Sequence, residues 1–242
     1  MRTAAILPVK RFPLAKQRLG ESVAESLRAS LARAMVGDVL SSLRECPTID
    51  ATIVVTCEPS VAAAAHYIDA VVVEDTAEEG QSAAASLGLA RALREGFERA
   101  LCVPGDCPTL DPSELTELLA TDMLNGDVVS QPEVVIVPDR HGKGTNGLLL
   151  SPSDALSPSF GPDSRARHER LATESGVKWR IAQPASLLLD IDTGEDLAAL
   201  RERLAGEHVR APRTRMVLTR AEAKDRTSKA APTDPSTTTR AA

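Results

Sequence analysis

Short apolar runs that alternate with longer stretches of helical periodicity leave this chain few ways to fold. "TAAILPV" (residues 3–9), "ATIVVTC" (51–57), "AVVVED" (70–75) and "RALCVPGD" (99–106) read as buried strands. After the first of them, Val23, Leu27, Leu31, Met35, Val39 and Leu43 recur along one helical face, with Ser22 at the N-cap. "GQSAAASLGLARALREGF" is an Ala-rich helix, and "DPSELTELLA" sets Pro112 at a first helical position behind Asp111. Such alternation predicts parallel strands joined by right-handed crossovers through about residue 120.

Beyond it, "PEVVIVPD" and "TNGLLLSP" are strands flanking a Gly-rich turn, and "VKWRIAQ" and "SLLLDID" add two more. "DSRARHERLATESG" is a helix stopped by Gly176, and "TGEDLAALRERLAG" is a final helix capped by Thr193. The expected class is α/β: a mixed, mostly parallel sheet flanked by helices, in one domain over residues 1–206. Composition agrees, since 43% of residues are hydrophobic but only 2% aromatic, so Ala, Leu, Val and Ile must fill the core. Little apolar periodicity follows Arg210, and the chain ends "AAPTDPSTTTRAA". Residues 207–242 therefore read as a disordered tail.

Charge narrows the partners. The formal net charge is −6, yet residues 207–242 hold eight Lys and Arg against four Asp and Glu, so the domain carries the whole acidic excess. That argues against nucleic acid or a membrane surface as partner, and an anionic ligand would need local lysines or a divalent metal. Cys46, Cys57, Cys102 and Cys107 form no CxxC pair; Cys46, Cys57 and Cys102 sit in or beside apolar runs and read as reduced core thiols. The apolar run at the N-terminus is too short for a signal peptide and no stretch could span a membrane, which points to a cytoplasmic protein.

In parallel sheets, ligands bind beyond the carboxyl ends of the strands. After the first strand come Lys10, Arg11, Lys16 and Arg18, cations suited to a triphosphate, although a basic loop alone is often only a solvated one. After the fourth, Gly105 permits a sharp turn that sets Asp106 over the crevice, where a carboxylate suits Mg²⁺. Asp190 and Asp192 follow a further apolar run; alternation turns both to one side, and Asp192, nearer the strand's end, is the preferred ligand. Each acid could equally be a cap or turn residue. "PDRHGKGTNGLLL" supplies flexible glycines and the Thr145 hydroxyl, and "FGPDSRARH" leads Gly161 and Ser164 into a helix N-terminus open to phosphate or carboxylate. Ser164 is otherwise an N-cap, and His168 either a donor or a structural histidine.

Taken in order, "PVKRFPLAKQRL", "PGDCP", "PDRHGKGTNGLLL", "FGPDSRARH" and "DIDTGEDL" resemble the guanylyltransferases that activate phosphoenolpyruvate or 2-phospho-L-lactate for biosynthesis of coenzyme F-420, over about residues 3 to 205. The resemblance implies a nucleotidyltransferase domain of the glycosyltransferase-A-like kind, with GTP as donor. It implies Mg²⁺ on Asp106 and Asp192, and beside it Lys10, Lys16 and Asp106 are read from their residue types and places as the catalytic groups. It seats phosphoenolpyruvate on Thr145, Gly161 and Ser164, while Lys10, Lys16 and Ser82 are the expected nucleotide contacts. One departure is the Gln81-Ser82 pair, where relatives usually show Leu-Asn; Ser82 can bond a ribose or base but lacks an amide's paired contact. Phosphoenolpyruvate is the expected acceptor and a homodimer the expected assembly. The same reaction on 2-phospho-L-lactate or another phosphorylated acceptor, such as a molybdopterin or a sugar phosphate, and a non-catalytic nucleotide-binding module are the alternatives.

Overall fold

A computed structural model of the chain describes residues 1–12, 19, 24–120, 132–206 and 209–230. Its elements are β1 (Thr3–Val9), α1 (Glu25–Glu45), β2 (Ala51–Thr56), α2 (Pro59–Tyr67), β3 (Val71–Val73), α3 (Gln81–Arg94) and β4 (Arg99–Cys102). They continue with α4 (Pro112–Ala120), β5 (Glu133–Pro138), β6 (Thr145–Ser151), α5 (Ser164–Glu174), β7 (Lys178–Ile181), α6 (Gly194–Leu204) and α7 (Pro212–Ala230). The strands form one seven-stranded sheet in the order β3-β2-β1-β4-β6-β5-β7. Every neighbouring pair is parallel except those made by β6, which runs against both β4 and β5.

Both faces of the sheet are covered, which is why its strands are almost continuously apolar rather than alternating with polar residues. Along β1, Ala5 and Leu7 join a core beneath α1, α2 and α4 with Leu40, Val61 and Leu115. Ala4 and Ile6 point the other way, into a core shared with Ala85 and Leu89 of α3 and Ala172 of α5. Each fully buried Leu or Ile in these layers is worth roughly 1.5–3 kcal/mol. A third cluster, with Met35, Ile191, Leu197, Leu200 and Leu218, lies where α1, α6 and α7 meet. Thr193 caps α6 in a reciprocal capping box with Asp196, as the sequence predicts. No helix among the described residues is long and apolar enough to cross a membrane.

Three expectations change. First, residues 207–242 are not a tail throughout: α7 packs along α1, with Ala211, Thr214 and Leu218 buried. Its apolar stripe is short and diluted by arginines, so periodicity alone does not reveal it. What seats it is Asp38, a buried acid on α1 whose two oxygens accept the N–H groups of Arg213 (3.1 Å) and Thr214 (2.8 Å). An acid at a helix N-terminus contributes up to about 2 kcal/mol when partly buried. The proposed disorder of residues 231–242 lies outside the described residues. Second, "SLLLDID" is not a strand: Ala185–Leu187 is a turn of 3-10 helix, and among the described residues no strand pairs with residues 188–192. Third, α1 starts at Glu25 behind Ala24, and Ser22 lies outside the described residues.

Candidate active site

Six strands direct their carboxyl ends to one edge of the sheet, and β6 begins at that edge because Thr145 pairs with Pro138 at the end of β5. A cavity of about 680 Å³ opens there, a size suited to small-molecule ligands. It brings together Lys10 after β1, Asp106 after β4, Thr145 at the head of β6, Gly161 and Ser164 at the head of α5, and Asp192 before α6. All six are residues that the sequence points to. Lys16 and Arg18 lie outside the described residues. A second hollow of about 490 Å³, on the outer side of α7, has Val209, Met216 and Arg215 in its wall but no carboxylate.

The acids are brought together by the main chain. The N–H of Ile191 donates to the carbonyl of Asp106 (3.1 Å), tying the loop before α6 to the loop after β4. Ile191 is buried, and Asp190 and Asp192 on either side of it both line the cavity. Asp190 is thus a ligand candidate alongside Asp192, the one preferred from sequence. Its carboxyl is pushed up to about 6, first by burial and then by the charge of Asp106, with a smaller push from Asp192; a hydrogen bond from Asn146 Nδ2 (3.1 Å) opposes the rise. A carboxyl whose proton affinity is raised by neighbouring acids marks a place short of positive charge. An all-oxygen set fits a hard divalent cation, and Mg²⁺ commonly takes one or two carboxylates and completes its shell with phosphates and water. Among the described residues no group of three or more His, Cys, Asp or Glu side chains is gathered to hold a metal unaided. Gly105 does a different job from the one expected. It has no positive φ, but a Cβ there would come within 2.9 Å of Val36 Cγ2, so its value is close packing against α1.

Around Thr145 the polar groups are buried and paired. Thr145 Oγ1 lies 3.0 Å from His168 Nδ1, and the N–H of Ser159 donates to His168 Nε2 (2.8 Å). His168 is wholly buried, and its pKa falls to about 4, through burial first and the nearby Arg167 charge second. The Arg167 guanidinium donates to the carbonyls of Ser159 (3.1 Å), Phe160 (3.0 Å) and Pro162. In a trans peptide the N–H points opposite to the carbonyl, so the Gly161 N–H faces away from Arg167. Gly161 has φ +112°, a conformation that side chains rarely adopt. Ser164 is the first residue of α5 rather than its cap; Asp163 holds the cap position in a left-handed conformation.

The nucleotide-side assignments need two corrections. Ser82 does not line the cavity: its Oγ accepts the N–H of Phe160 (2.8 Å), clamping the loop before α5 onto α3, and Gln81 is the residue exposed to the cavity. Arg11, though exposed, is paired with Glu78 (2.9 Å) and is not among the residues lining the cavity, whereas Lys10 is. Cys57 is not a core thiol but lines the cavity, donating to the carbonyl of Asp75 (2.8 Å). Lys143, missed from sequence, also lines it; a lysine between two flexible glycines gives no periodic signal. Asn146 was missed because its partners, Leu187 O and Asp190, are distant in sequence.

Solved structures share the fold. The chain resembles a nucleotidyl transferase from Methanothermobacter thermautotrophicus (TM-score 0.61, 17% identity, 84% of this chain and 98% of the other). It also resembles a Desulfovibrio desulfuricans protein with a provisional nucleotide-diphospho-sugar transferase name (TM-score 0.72, 17% identity, 94% and 98%). The fold is thus that of the nucleotidyltransferases, of glycosyltransferase-A-like kind. Within that class the chain belongs to the family described as "Guanylyl transferase CofC like", whose model matches residues 3–217. Among curated relatives, the phosphoenolpyruvate guanylyltransferase of Conexibacter woesei is 47% identical over 218 residues, covering 90% of this chain and 96% of its own. The 2-phospho-L-lactate guanylyltransferase of Methanothermobacter thermautotrophicus is 32% identical over 210 residues, covering 87% and 89%.

Proposed function

We propose that this protein transfers the guanylyl group of GTP to the phosphate of phosphoenolpyruvate. An oxygen of that phosphate attacks the α-phosphorus of GTP, the bond to the bridging oxygen breaks, and diphosphate leaves. The product is enolpyruvoyl-2-diphospho-5'-guanosine, for coenzyme F-420 biosynthesis. A phosphomonoester has a second pKa near 6 and is largely dianionic at neutral pH. No general base is needed to make it a nucleophile, and the reading requires no Ser–His–Asp or Cys–His arrangement.

The observation that carries the reading is the cavity shared by Lys10, the acids at 106, 190 and 192, and the polar cluster of Thr145, Gly161 and Ser164. Two like charges in contact repel by about 4 kcal/mol at an effective dielectric of 20, so bringing two anions together is the main obstacle. Lys10 holds donor phosphates, joined in this reading by Lys16. Asp106 and Asp192, with Asp190 beside them, hold Mg²⁺, which when bound offsets charge on the triphosphate and on the departing diphosphate. Thr145, Gly161 and Ser164 seat the acceptor, and Lys143 adds a cation on that side. Identity of 47% to the phosphoenolpyruvate enzyme, against 32% to the 2-phospho-L-lactate enzyme, favours phosphoenolpyruvate.

The test is to incubate the protein with GTP and Mg²⁺ and follow diphosphate release with each acceptor in turn, repeating with ATP. Release with GTP and phosphoenolpyruvate supports the reading. Faster release with 2-phospho-L-lactate would reassign the acceptor, and no release with either would leave nucleotide binding without transfer.

A further inference from the structure

His168 is a buried titratable group beside the cavity for which the reaction has no use, and its two ring nitrogens have different partners. A backbone N–H can only donate, so the Ser159 N–H at 2.8 Å requires Nε2 to present its lone pair. The neutral ring then carries its proton on Nδ1, which faces Thr145 Oγ1 at 3.0 Å. A protonated ring would put N–H against N–H at Ser159, so burial and geometry both keep it neutral. The Thr145 hydroxyl therefore accepts from His168 and must send its own proton elsewhere. Among the described residues no second protein partner for that hydroxyl is found, and Thr145 lines the cavity.

We propose that His168 is a positioning residue for the acceptor half of the site: by donating from Nδ1 it aims the Thr145 hydroxyl proton into the cavity, at an oxygen of a phosphorylated carboxylic acid. The inference deepens the guanylyltransferase reading and rests on it. Each bond in the chain, from Ser159 N–H to His168 to Thr145 to the anion, donates in the same direction, so each polarises the next. His168 also ties Thr145 to Ser159, which precedes Phe160 and Gly161, so the two walls of the acceptor seat share one buried side chain. The Phe160 ring packs edge-on to the imidazole at 5.3 Å, which limits its rotation.

The test uses two amides that divide the functions of the ring. In His168→Asn an amide can stand near the Nδ1 position and keep a donor for Thr145. In His168→Gln it reaches toward the Nε2 position, keeping an acceptor for Ser159 but losing the donor. Diphosphate release should show KM for phosphoenolpyruvate close to wild type in His168→Asn and raised about tenfold in His168→Gln, with KM for GTP unchanged in both. Adding Thr145→Val to His168→Gln should cost nothing beyond Thr145→Val alone. Nitrogen-15 NMR of the wild-type ring should report the neutral Nδ1–H form at pH 7. The opposite ranking of the two amides, additive losses in the double variant, or an Nε2–H or doubly protonated ring would overturn the proposal. If wild-type protein releases no diphosphate with phosphoenolpyruvate, the reading of function fails, and the NMR result then decides the His168 orientation by itself.

Discussion

On the side of the cavity proposed for the nucleotide, beyond β1, β2 and β3, charge is held at the surface: Lys10 is exposed and Arg11 reaches Glu78 through a half-exposed ion pair. On the side proposed for the acceptor, around β6 and α5, the polar groups share one hydrogen-bonded network that is deepest at His168, between Thr145 and Ser159, and reaches the surface through Arg167, which gathers three carbonyls. Exposed pairs are worth little and adapt easily, whereas buried networks are costly to disturb and rigid when complete. A flexible triphosphate suits the first kind of wall. A small acceptor, which must present one oxygen in line with the α-phosphorus, suits the second.

Substitutions can break or sharpen this contrast. Asp106 stands between the sides, so Asp106→Asn should strike both: transfer at ordinary Mg²⁺ should fall at least about 100-fold in a diphosphate-release assay. Near-wild-type transfer would remove Asp106 from the metal. Arg167→Met should cost about 2 kcal/mol in urea denaturation, since several charged hydrogen bonds to carbonyls are lost. It should raise KM for phosphoenolpyruvate and spare KM for GTP; an equal rise in both would erase the distinction between the sides.

The buried imidazole gives the acceptor side a pH signature. His168 has a folded pKa of about 4, below its ordinary 6.5, so the unfolded chain takes up the proton first as pH falls. Stability from this group is full above about pH 6.5 and drains away toward pH 4. Between pH 7 and pH 5 it should cost the wild type about 2 kcal/mol. Asp190, raised to about 6, has the opposite sign and favours the fold as pH falls through 6. His168→Asn keeps the Asp190 contribution and removes the other, so the difference between the two proteins in urea melts at pH 7 and pH 5 isolates the histidine. The smallest effect belongs to the donor side: Glu78→Gln should leave the melting temperature unchanged and lower KM for GTP by about twofold, by releasing Arg11. A clear loss of stability would show that this surface, too, is a structured network.

Much of this is legible in the chain, and the failures have local causes. The strands of the sheet announce themselves because parallel, doubly covered strands are apolar throughout. Residues 186–192 mislead because their alternation is real: Leu187, Leu189 and Ile191 are buried, but no described strand lies beside them to pair with. Pattern reports which side chains turn inward and is silent about neighbours. Asp106, Thr145, Gly161 and Ser164 reach the cavity as read, while Ser82 and Gln81 exchange places because one residue of helix turns a side chain by about 100°. Asn146 and Arg167 were beyond reach, since each is defined by partners that only the folded chain supplies.

The Ile191–Asp106 link has one further consequence. The gap between the acids that line the cavity is set by an amide and a carbonyl, groups common to nearly every residue type. Either acid can therefore be exchanged for study without removing the bond that spaces them, whereas Ile191 is also held by its packing in the third cluster, and a proline there would delete the donor. Chemistry at this edge can be rewritten one acid at a time, on a ruler that the acids do not own.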